Sequence, residues 1–388
     1  MYKVKEDQLK QVLKAAIENN ELPGANLMIL KEGQEIFYHE DGFADIEEKR
    51  PIRRDTIFRM YSMTKPVTAA AVMILLERGI IDLYEPVSKF LPGFVNQMVE
   101  DESRLLPVER DVNIKDLLSM TSGLVYDGND KAGQETEAVF KEIEDRLLGD
   151  NPMGTIEVVN KLGKCPLAFQ PGTAWRYGTS ADVLGAVVEV ASGMRFGEFL
   201  DKEIFKPLNM KDTAFWVPSQ NRNRLAKAYN LEPYSGLKPY SGNFLGINNA
   251  MDRNPAFESG GAGLVSTIDD YARFATMLMN KGSFDGVQIL KPKTVEYMTS
   301  CSLTYEQQKD MWPELSGYTY GNLMRIMTDC SKAGILGSEG EYGWDSWTGA
   351  YFCNCPGEKL TFLFMRQLVN TGTTSLTRKL RNIIFSTL

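Results

Sequence analysis

Apolar positions recur along the chain with the periods of two kinds of secondary structure. Over residues 5–20 they fall three and four positions apart, which predicts an amphipathic helix, and 25–30 and 35–39 have the pattern of two strands joined by a tight turn. The last third of the chain adds three predicted strands and a final helix, over 318–327, 347–353, 360–366 and 374–386. Strands at both ends with helices between them predict one sheet built from the two ends of the chain and interrupted by a helical insertion.

The middle of the chain is mainly helical in pattern. A long apolar helix is predicted over 62–79, shorter helices over 113–123, 182–192 and 267–280, and surface helices in the charged segment 126–165. Residues 218–258 show no convincing periodicity, and irregular segments of that length are often functional.

These patterns predict the α+β class, with one catalytic unit over residues 1–388 made of two subdomains. The first, at about 1–81 and 264–388, contains an antiparallel sheet flanked by helices, and the second, at about 82–263, is mainly helical. A cleft between the two is the expected site.

The composition narrows the classes of partner. Apolar residues make up 43% of the 388 and charged residues 24%, as in ordinary globular proteins, and the formal net charge is −8. This acidity argues against nucleic acid or an anionic membrane as partner. The first residues lack the apolar core of a signal peptide, and no run approaches the roughly 18 apolar residues that span a bilayer. A cytoplasmic location without a membrane span is the expectation, and nothing in the sequence predicts an oligomeric state.

Ser62 and Lys65 stand three residues apart where the long apolar helix begins. That spacing places both side chains on one face, and Pro66 requires the helix to start close by. A serine at a helix N-terminus lies where the dipole favours developing negative charge, and a lysine one turn on can take its proton or hold the base that does. A second Ser-x-x-Lys, Ser235 to Lys238, lies in a segment rich in Tyr, Pro and Gly that is typical of a loop. Only Ser62 therefore has the context of an activated nucleophile.

The histidine and cysteine content of the chain argues against a Ser-His-Asp triad and against a metal site. His39 is the one histidine, on a predicted strand that leads into a turn, so a Ser-His-Asp triad or a histidine-rich metal site would need that residue. The five cysteines include only one close pair, Cys353 and Cys355, which is a poor zinc site and favours reduced thiols. We expect no metal and no cofactor, and a base other than histidine.

Five stretches together resemble the serine β-lactamase and penicillin-binding-protein-like superfamily, most closely the esterases that are similar to class C β-lactamases. They occur in the order of that superfamily and extend over most of the chain: Ser62-Met-Thr-Lys65, Leu117–Leu124, Gln170–Tyr177, Gly261–Tyr271 and Trp347–Gly349. The resemblance implies a β-lactamase/transpeptidase-like fold, with the site between an α/β and an all-α subdomain.

The resemblance also implies roles for individual residues. Ser62 would be the acylated nucleophile, Lys65 its proton partner, and Tyr177 a base in acylation and an acid towards the leaving group. An unperturbed tyrosine has a pKa of about 10 and is a poor base at neutral pH, so a nearby Lys65 cation would have to favour the ionised form of Tyr177. Which of the two residues takes the proton stays open. The oxyanion hole would consist of the backbone N–H groups of Ser62 and Ala350.

Departures from the superfamily indicate the substrate class. The third motif commonly begins with a cation that attracts a substrate carboxylate, whereas here Trp347 precedes Thr348. The second motif usually ends in asparagine, and here it ends in Thr179. The expected substrate contacts are therefore Trp347, Thr348 and Thr179. A cation from elsewhere in the chain, such as Arg325, could replace the missing one and keep the affinity for a carboxylate.

The predicted function is a serine hydrolase that forms an acyl-enzyme, most consistent with a carboxylesterase or acyltransferase acting on small neutral esters. One alternative is a β-lactamase or D-amino-acid-specific peptidase, which would use the same nucleophile on an amide. An alternative of another class is a non-catalytic relative that binds a ligand or serves as a scaffold.

Overall fold

The computed structural model describes residues 4–101, 104–300 and 303–388. Its strands are, in chain order, β1 (Gly24–Lys31), β2 (Gln34–Asp45), β3 (Arg50–Pro51), β4 (Phe58–Arg59), β5 (Met98–Asp101), β6 (Arg104–Pro107), β7 (Tyr229–Glu232), β8 (Gly236–Pro239), β9 (Val265–Ser266), β10 (Ser283–Phe284), β11 (Val287–Gln288), β12 (Tyr318–Gly321), β13 (Met324–Met327), β14 (Tyr342–Asp345), β15 (Tyr351–Cys355) and β16 (Leu360–Arg366). Its α-helices are α1 (Glu6–Glu18), α2 (Lys65–Glu77), α3 (Ile114–Ser119), α4 (Lys131–Arg146), α5 (Thr155–Leu162), α6 (Ser180–Ser192), α7 (Phe196–Leu200), α8 (Ile268–Met279), α9 (Pro292–Met298), α10 (Tyr305–Gln308), α11 (Cys330–Ala333) and α12 (Ser375–Phe385).

One eight-stranded antiparallel sheet contains strands from both ends of the chain. Its order is β12-β13-β14-β15-β16-β1-β2-β3, so the amino-terminal β1 pairs directly with the carboxyl-terminal β16. The predicted α+β class and the antiparallel sheet flanked by helices are therefore confirmed. The division into subdomains near residues 81 and 264 stays a prediction.

The two faces of the sheet are buried under different helices. Leu27 lies opposite Phe364, and both belong to the core that α1 and α12 cover. Met28 lies opposite Leu363, and both belong to the larger core that contains α2 and α8. Because neighbouring side chains of a strand point to opposite faces, the near-continuous apolar pattern of these strands reflects burial on both sides.

Helix α2 is buried on almost every side. All its residues from Lys65 to Leu75 are buried, and it packs against α6 and α9. A helix that is apolar all round belongs inside a protein rather than on its surface. Its amino-terminal end, next to Ser62, is thereby held in the interior. Across the described part of the chain, no helix combines the length and apolar character that a bilayer span requires.

Three strand predictions are wrong in detail. The segment 318–327 is a hairpin of β12 and β13, turned by Asn322 and Leu323 with positive φ angles of 48° and 64°. Leucine is rare in that conformation, so the turn gave no sequence signal. The segment 347–353 begins as a turn after the unpredicted strand β14, and only its last residues belong to β15. Strand β2 continues past His39 to Asp45.

Two helix predictions also change. Ser62 lies in a 3₁₀ turn, Tyr61–Thr64, and the α-helix begins only at Lys65. The charged segment 126–165 does form helices α4 and α5, but α4 is not purely a surface helix. Its side chains at positions 137, 140, 141 and 144, spaced by three and four, line the cleft that contains Ser62.

Candidate active site

The backbone before Ser62 is held in an unusual conformation. Tyr61 has a φ of +39°, a region that bulky side chains rarely adopt, and its ring is held 4.8 Å from that of Trp347. On the amino-terminal side, β4 pairs with β9, and the Met60 N–H donates to the Leu264 carbonyl at 2.8 Å. The turn therefore presents the Ser62 side chain from a rigid support, and strained backbone of this kind is concentrated at functional sites.

Lys65 is fully buried, and its ammonium group contacts three oxygens. Nζ lies 3.3 Å from Ser62 Oγ, 3.1 Å from the Tyr126 hydroxyl and 2.8 Å from the Gly261 carbonyl. Burial lowers the pKa of Lys65 to about 7, against the opposing influence of nearby carboxylates. At neutral pH a large fraction of Lys65 is therefore the free amine, which can accept a proton from Ser62.

Tyr177 lies on the other side of Lys65. Lys65 Nζ is 4.6 Å from the centre of the Tyr177 ring, and the indole N–H of Trp344 donates to the Tyr177 hydroxyl at 3.1 Å. Burial raises the pKa of Tyr177, while hydrogen bonds with Ser62 and Trp344 act in the opposite direction. The hydroxyl is therefore a neutral phenol at pH 7 and is better suited to donate a proton than to remove one.

Two further residues of this centre were missed in the sequence. Tyr126 supplies the hydroxyl next to Lys65, and Asp182 is buried beneath it on α6. The Asp182 carboxylate accepts from the Ser259 hydroxyl at 2.5 Å and from the Gly261 N–H at 3.0 Å. Burial raises the pKa of Asp182, and the Lys65 charge opposes that rise. A polar residue at the start of an apolar helix was the available signal for Asp182; Tyr126 had none.

The third motif forms a tight turn rather than a strand. The Gly349 N–H donates to the Ser346 carbonyl at 2.8 Å, and Trp347 lies at the tip of the turn. Trp347 lines the cleft, stacks on Phe244 with the ring centres 4.3 Å apart and donates from its indole to Asn370 at 2.8 Å. Its predicted place at the substrate cleft fits this position.

The predicted substrate contacts of Thr348 and Thr179 do not fit their positions. Both side chains are fully buried, and neither lines the cleft. The Thr348 hydroxyl faces inward to the Arg59 carbonyl at 3.2 Å, so it supports the turn from behind. Ala350 is also buried, but neither its N–H nor that of Ser62 donates to another described residue. Both donors of the expected oxyanion hole are thus unoccupied by protein acceptors.

A cleft of about 790 Å³ opens in front of Ser62. Its walls are rich in aromatic rings, namely Tyr126, Phe140, Tyr177, Phe244, Trp312, Trp344 and Trp347. Among the described residues that line it are four carboxylates, from Asp127, Glu137, Glu144 and Asp345, and two cations, Lys141 and Arg176. Arg176 already pairs with Asp130 at 2.6 Å. The cleft therefore suits an apolar, uncharged ligand better than an anionic one.

Two residues considered in the sequence lie outside the cleft. Arg325 is buried behind its wall, over the Tyr351 ring at 4.6 Å and 3.8 Å from an Asp345 oxygen. It does not line the cavity and so does not replace the missing cation. His39 is a partly buried residue of β2 opposite Leu27, and it too is absent from the lining of the cleft. Among the described residues, no group of three or more His, Cys, Asp or Glu side chains is placed to hold a metal ion.

The chain is similar to known proteins over nearly its whole length. The Beta-lactamase family model matches residues 9–382. Protein Rv1367c of Mycobacterium tuberculosis is 33% identical over 339 residues, which are 85% of this chain and 81% of that protein. Esterase EstB of Burkholderia gladioli is 31% identical over 351 residues, 87% of this chain and 84% of that protein. The chain therefore belongs to the Beta-lactamase family of serine hydrolases, as the five motifs indicated.

Solved structures show the same fold. EstCE1, a hydrolase with promiscuous acyltransferase activity, superposes with a TM-score of 0.83 at 23% identity, covering 98% of each chain. Simvastatin synthase LovD from Aspergillus terreus has a TM-score of 0.80 at 21% identity, covering 98% of this chain and 97% of its own. The β-lactamase/transpeptidase-like fold is thereby established.

Proposed function

We propose that this protein is a serine esterase or acyltransferase that transfers the acyl group of uncharged carboxylic esters through an acyl-enzyme on Ser62. The observation that carries the proposal is the contact between Ser62 Oγ and a buried Lys65 amine whose pKa is about 7. A nucleophile beside a base that is largely deprotonated at neutral pH is the arrangement that acyl transfer requires. The similarity to Esterase EstB supports the same reaction class.

The proposed reaction has two stages. In the first, neutral Lys65 takes the Ser62 proton as Oγ adds to the ester carbonyl carbon, and the resulting oxyanion is stabilised by the N–H groups of Ser62 and Ala350. The tetrahedral adduct then expels the alcohol, which receives a proton from Tyr177 as Tyr177 regains one from Lys65. In the second stage, water or another alcohol attacks the acyl-enzyme while Lys65 takes its proton. The adduct then expels Ser62 Oγ, which takes that proton back from Lys65, and the acid or the new ester leaves.

The cleft favours an ester over a β-lactam or a peptide C-terminus. Those two substrates bring a carboxylate, and burial of a carboxylate is costly unless a cation pairs with it. At the corresponding place this chain has Trp347, and the carboxylate of Asp345 lines the same cleft. An uncharged acyl or alkoxy group instead packs on the aromatic walls without that cost.

A panel of p-nitrophenyl esters, a chromogenic cephalosporin and D-amino-acid anilides tests the proposal. We expect kcat/KM to be at least about 10²-fold higher for the best ester than for the cephalosporin, and we expect Ser62→Ala to lose all turnover above background. Equal turnover of the cephalosporin would overturn the ester specificity. Ester turnover that survives in Ser62→Ala would overturn the mechanism as a whole.

A further inference from the structure

Arg59 and Arg366 are buried close to the candidate site, and neither forms an ion pair with a carboxylate of the described residues, although the charge of Asp345 acts on Arg366 from a distance. They are 4% and 2% exposed, and burial lowers the pKa of each to about 10. The other two buried arginines of the described chain, Arg325 and Arg381, each lie within ion-pair distance of a carboxylate. A buried cation without a counterion lowers stability, so its presence suggests a role outside folding. Of the unpaired two, only Arg366 donates to the third motif.

The Arg366 guanidinium is fixed by three hydrogen bonds to uncharged groups. Its Nε donates to the Gly349 carbonyl at 3.0 Å, and Nη2 donates to the Gly372 carbonyl and to the Thr374 hydroxyl, each at 3.1 Å. Arg366 packs directly against Gly349 and leaves no room for a side chain there, because a Cβ at position 349 would lie 2.3 Å from Arg366 Nε. Gly349 also has a φ of +78°, so only glycine permits this approach.

The Gly349 carbonyl and the Ala350 N–H belong to the same peptide unit. In a planar trans peptide the C=O and the N–H point in opposite directions, so the atom that holds the carbonyl also sets the direction of the N–H. Arg366, the last residue of β16, holds the carbonyl, and the Ala350 N–H consequently points away from the guanidinium, without an acceptor among the described residues. A charged donor on the carbonyl also polarises the peptide and makes its N–H a stronger donor.

We propose that Arg366 is a positioning residue for the oxyanion hole: its guanidinium fixes the Gly349–Ala350 peptide so that the Ala350 N–H faces the attacked carbonyl, and its unpaired charge favours the negative charge that develops there. The inference rests on the proposed acyl-enzyme on Ser62. Arg366 does not touch the substrate and exchanges no proton. Its contribution grows only as the oxyanion forms, so it acts on kcat more than on KM.

Arg366→Lys tests this role, with Arg381→Lys as the matched control. Lysine keeps the positive charge but cannot bridge all three acceptors in one plane. We expect kcat for a p-nitrophenyl ester to fall about 10- to 100-fold with KM within about threefold, and the inhibition constant of an alkyl boronic acid, which forms a tetrahedral adduct on serine, to rise in parallel. Arg381→Lys changes a buried arginine paired with Glu341, and it should lower the melting temperature while leaving kcat and boronate affinity within about threefold.

Two results would overturn the inference. One is an Arg366→Lys enzyme with unchanged kcat, and the other is a loss that lies in KM while boronate affinity is retained. If Arg366→Lys does not fold, Thr374→Val removes one of the three contacts at a half-buried position, and an unchanged kcat and boronate affinity in that variant would likewise overturn it. Fluorophosphonate labelling separates this inference from the proposed function: loss of label in Ser62→Ala supports the acyl-enzyme whatever the Arg366 variants do.

Discussion

Deprotonation of Lys65 should control the rate of ester turnover between pH 5 and pH 8. Lys65 Nζ lies 3.3 Å from Ser62 Oγ in a fully buried position, and burial lowers its pKa from 10.5 to about 7. A base acts only in its deprotonated form, so kcat/KM should rise with pH through this pKa. Tyr177 gives no competing base in that range, because burial raises its pKa instead.

The size of the effect follows from the pKa. Two pH units below about 7, roughly one lysine in a hundred is neutral, and one unit above it about nine in ten are. Between pH 5 and pH 8 the value of kcat/KM should therefore increase about 100-fold for a neutral substrate that does not itself titrate. Above pH 8 it should be nearly constant.

A p-nitrophenyl ester followed across this range measures the profile, with the Ser62→Ala variant as the blank for uncatalysed hydrolysis. His39→Gln is the matched control, because histidine is the residue whose ordinary pKa lies in the same window. His39 lies outside the cleft, so that variant should keep both the turnover and the pH profile of the wild type. Lys65→Ala should lose at least about 10²-fold in kcat at pH 8, where the wild-type lysine is largely neutral, and should lack the rise between pH 5 and pH 8.

A kcat/KM that does not change between pH 5 and pH 8 would refute this reasoning. So would a rise that occurs only near pH 10, because Lys65 would then be a cation at neutral pH. In that case the ionised form of Tyr177 would have to serve as the base. A profile that disappears in His39→Gln would return the role of base to the histidine.

Three further predictions follow from the same contacts. Lys65→Met should be inactive, but at pH 7 its free energy of unfolding should be higher by up to about 5 kcal/mol, the free energy that corresponds to a pKa lowered from 10.5 to about 7. Because the unfolded chain binds the proton more tightly than the folded one, the stability of the wild type should rise with pH between about 7 and 10.5. Urea unfolding measures both effects. Tyr177→Phe should lose about 10²-fold in kcat, less for a p-nitrophenyl ester than for an alkyl ester, whose alkoxide needs a proton more. An ester with a terminal carboxylate should react at least about tenfold more slowly than an uncharged ester of equal length, because the carboxylate of Asp345 lines the cleft. Trp347→Lys should reduce that difference by supplying a cation. An equal reduction in Trp347→Phe would contradict the charge argument.

Much of the fold was predictable because its signals are local. The strongly apolar strands at both ends predicted the central sheet, and the continuous apolar pattern after Ser62 predicted the buried helix α2. The spacing of Ser62 and Lys65 fixes their proximity almost independently of the rest of the molecule, since one helical turn separates them. The structure accordingly brings the two side chains to 3.3 Å.

The rest of the site depends on contacts between distant parts of the chain. Tyr126 reaches Lys65 across 61 residues, and Asp182 acts through a loop that returns at Gly261. No local pattern marks Tyr126, and the one local signal for Asp182 is a polar residue at the start of an apolar helix. The residues around Thr348 have the pattern of a strand, yet the chain turns there and the Thr348 side chain faces inward. This turn closes at Gly349, and its conformation depends on Arg366 and on the loop that follows β16. Long-range packing, rather than propensity, decides which residues face the cleft.

Covalent labelling of Ser62 tests the central claim most directly. The protein is treated with a fluorophosphonate probe and then with a slowly hydrolysed ester, and the intact mass and the modified peptide are measured by mass spectrometry. We predict one adduct per chain with each reagent, both on Ser62, no adduct in Ser62→Ala, and normal labelling in Ser235→Ala, whose serine lies on the exposed β7–β8 turn. An adduct that persists in Ser62→Ala, or one that maps to another residue, would contradict the assignment of the nucleophile.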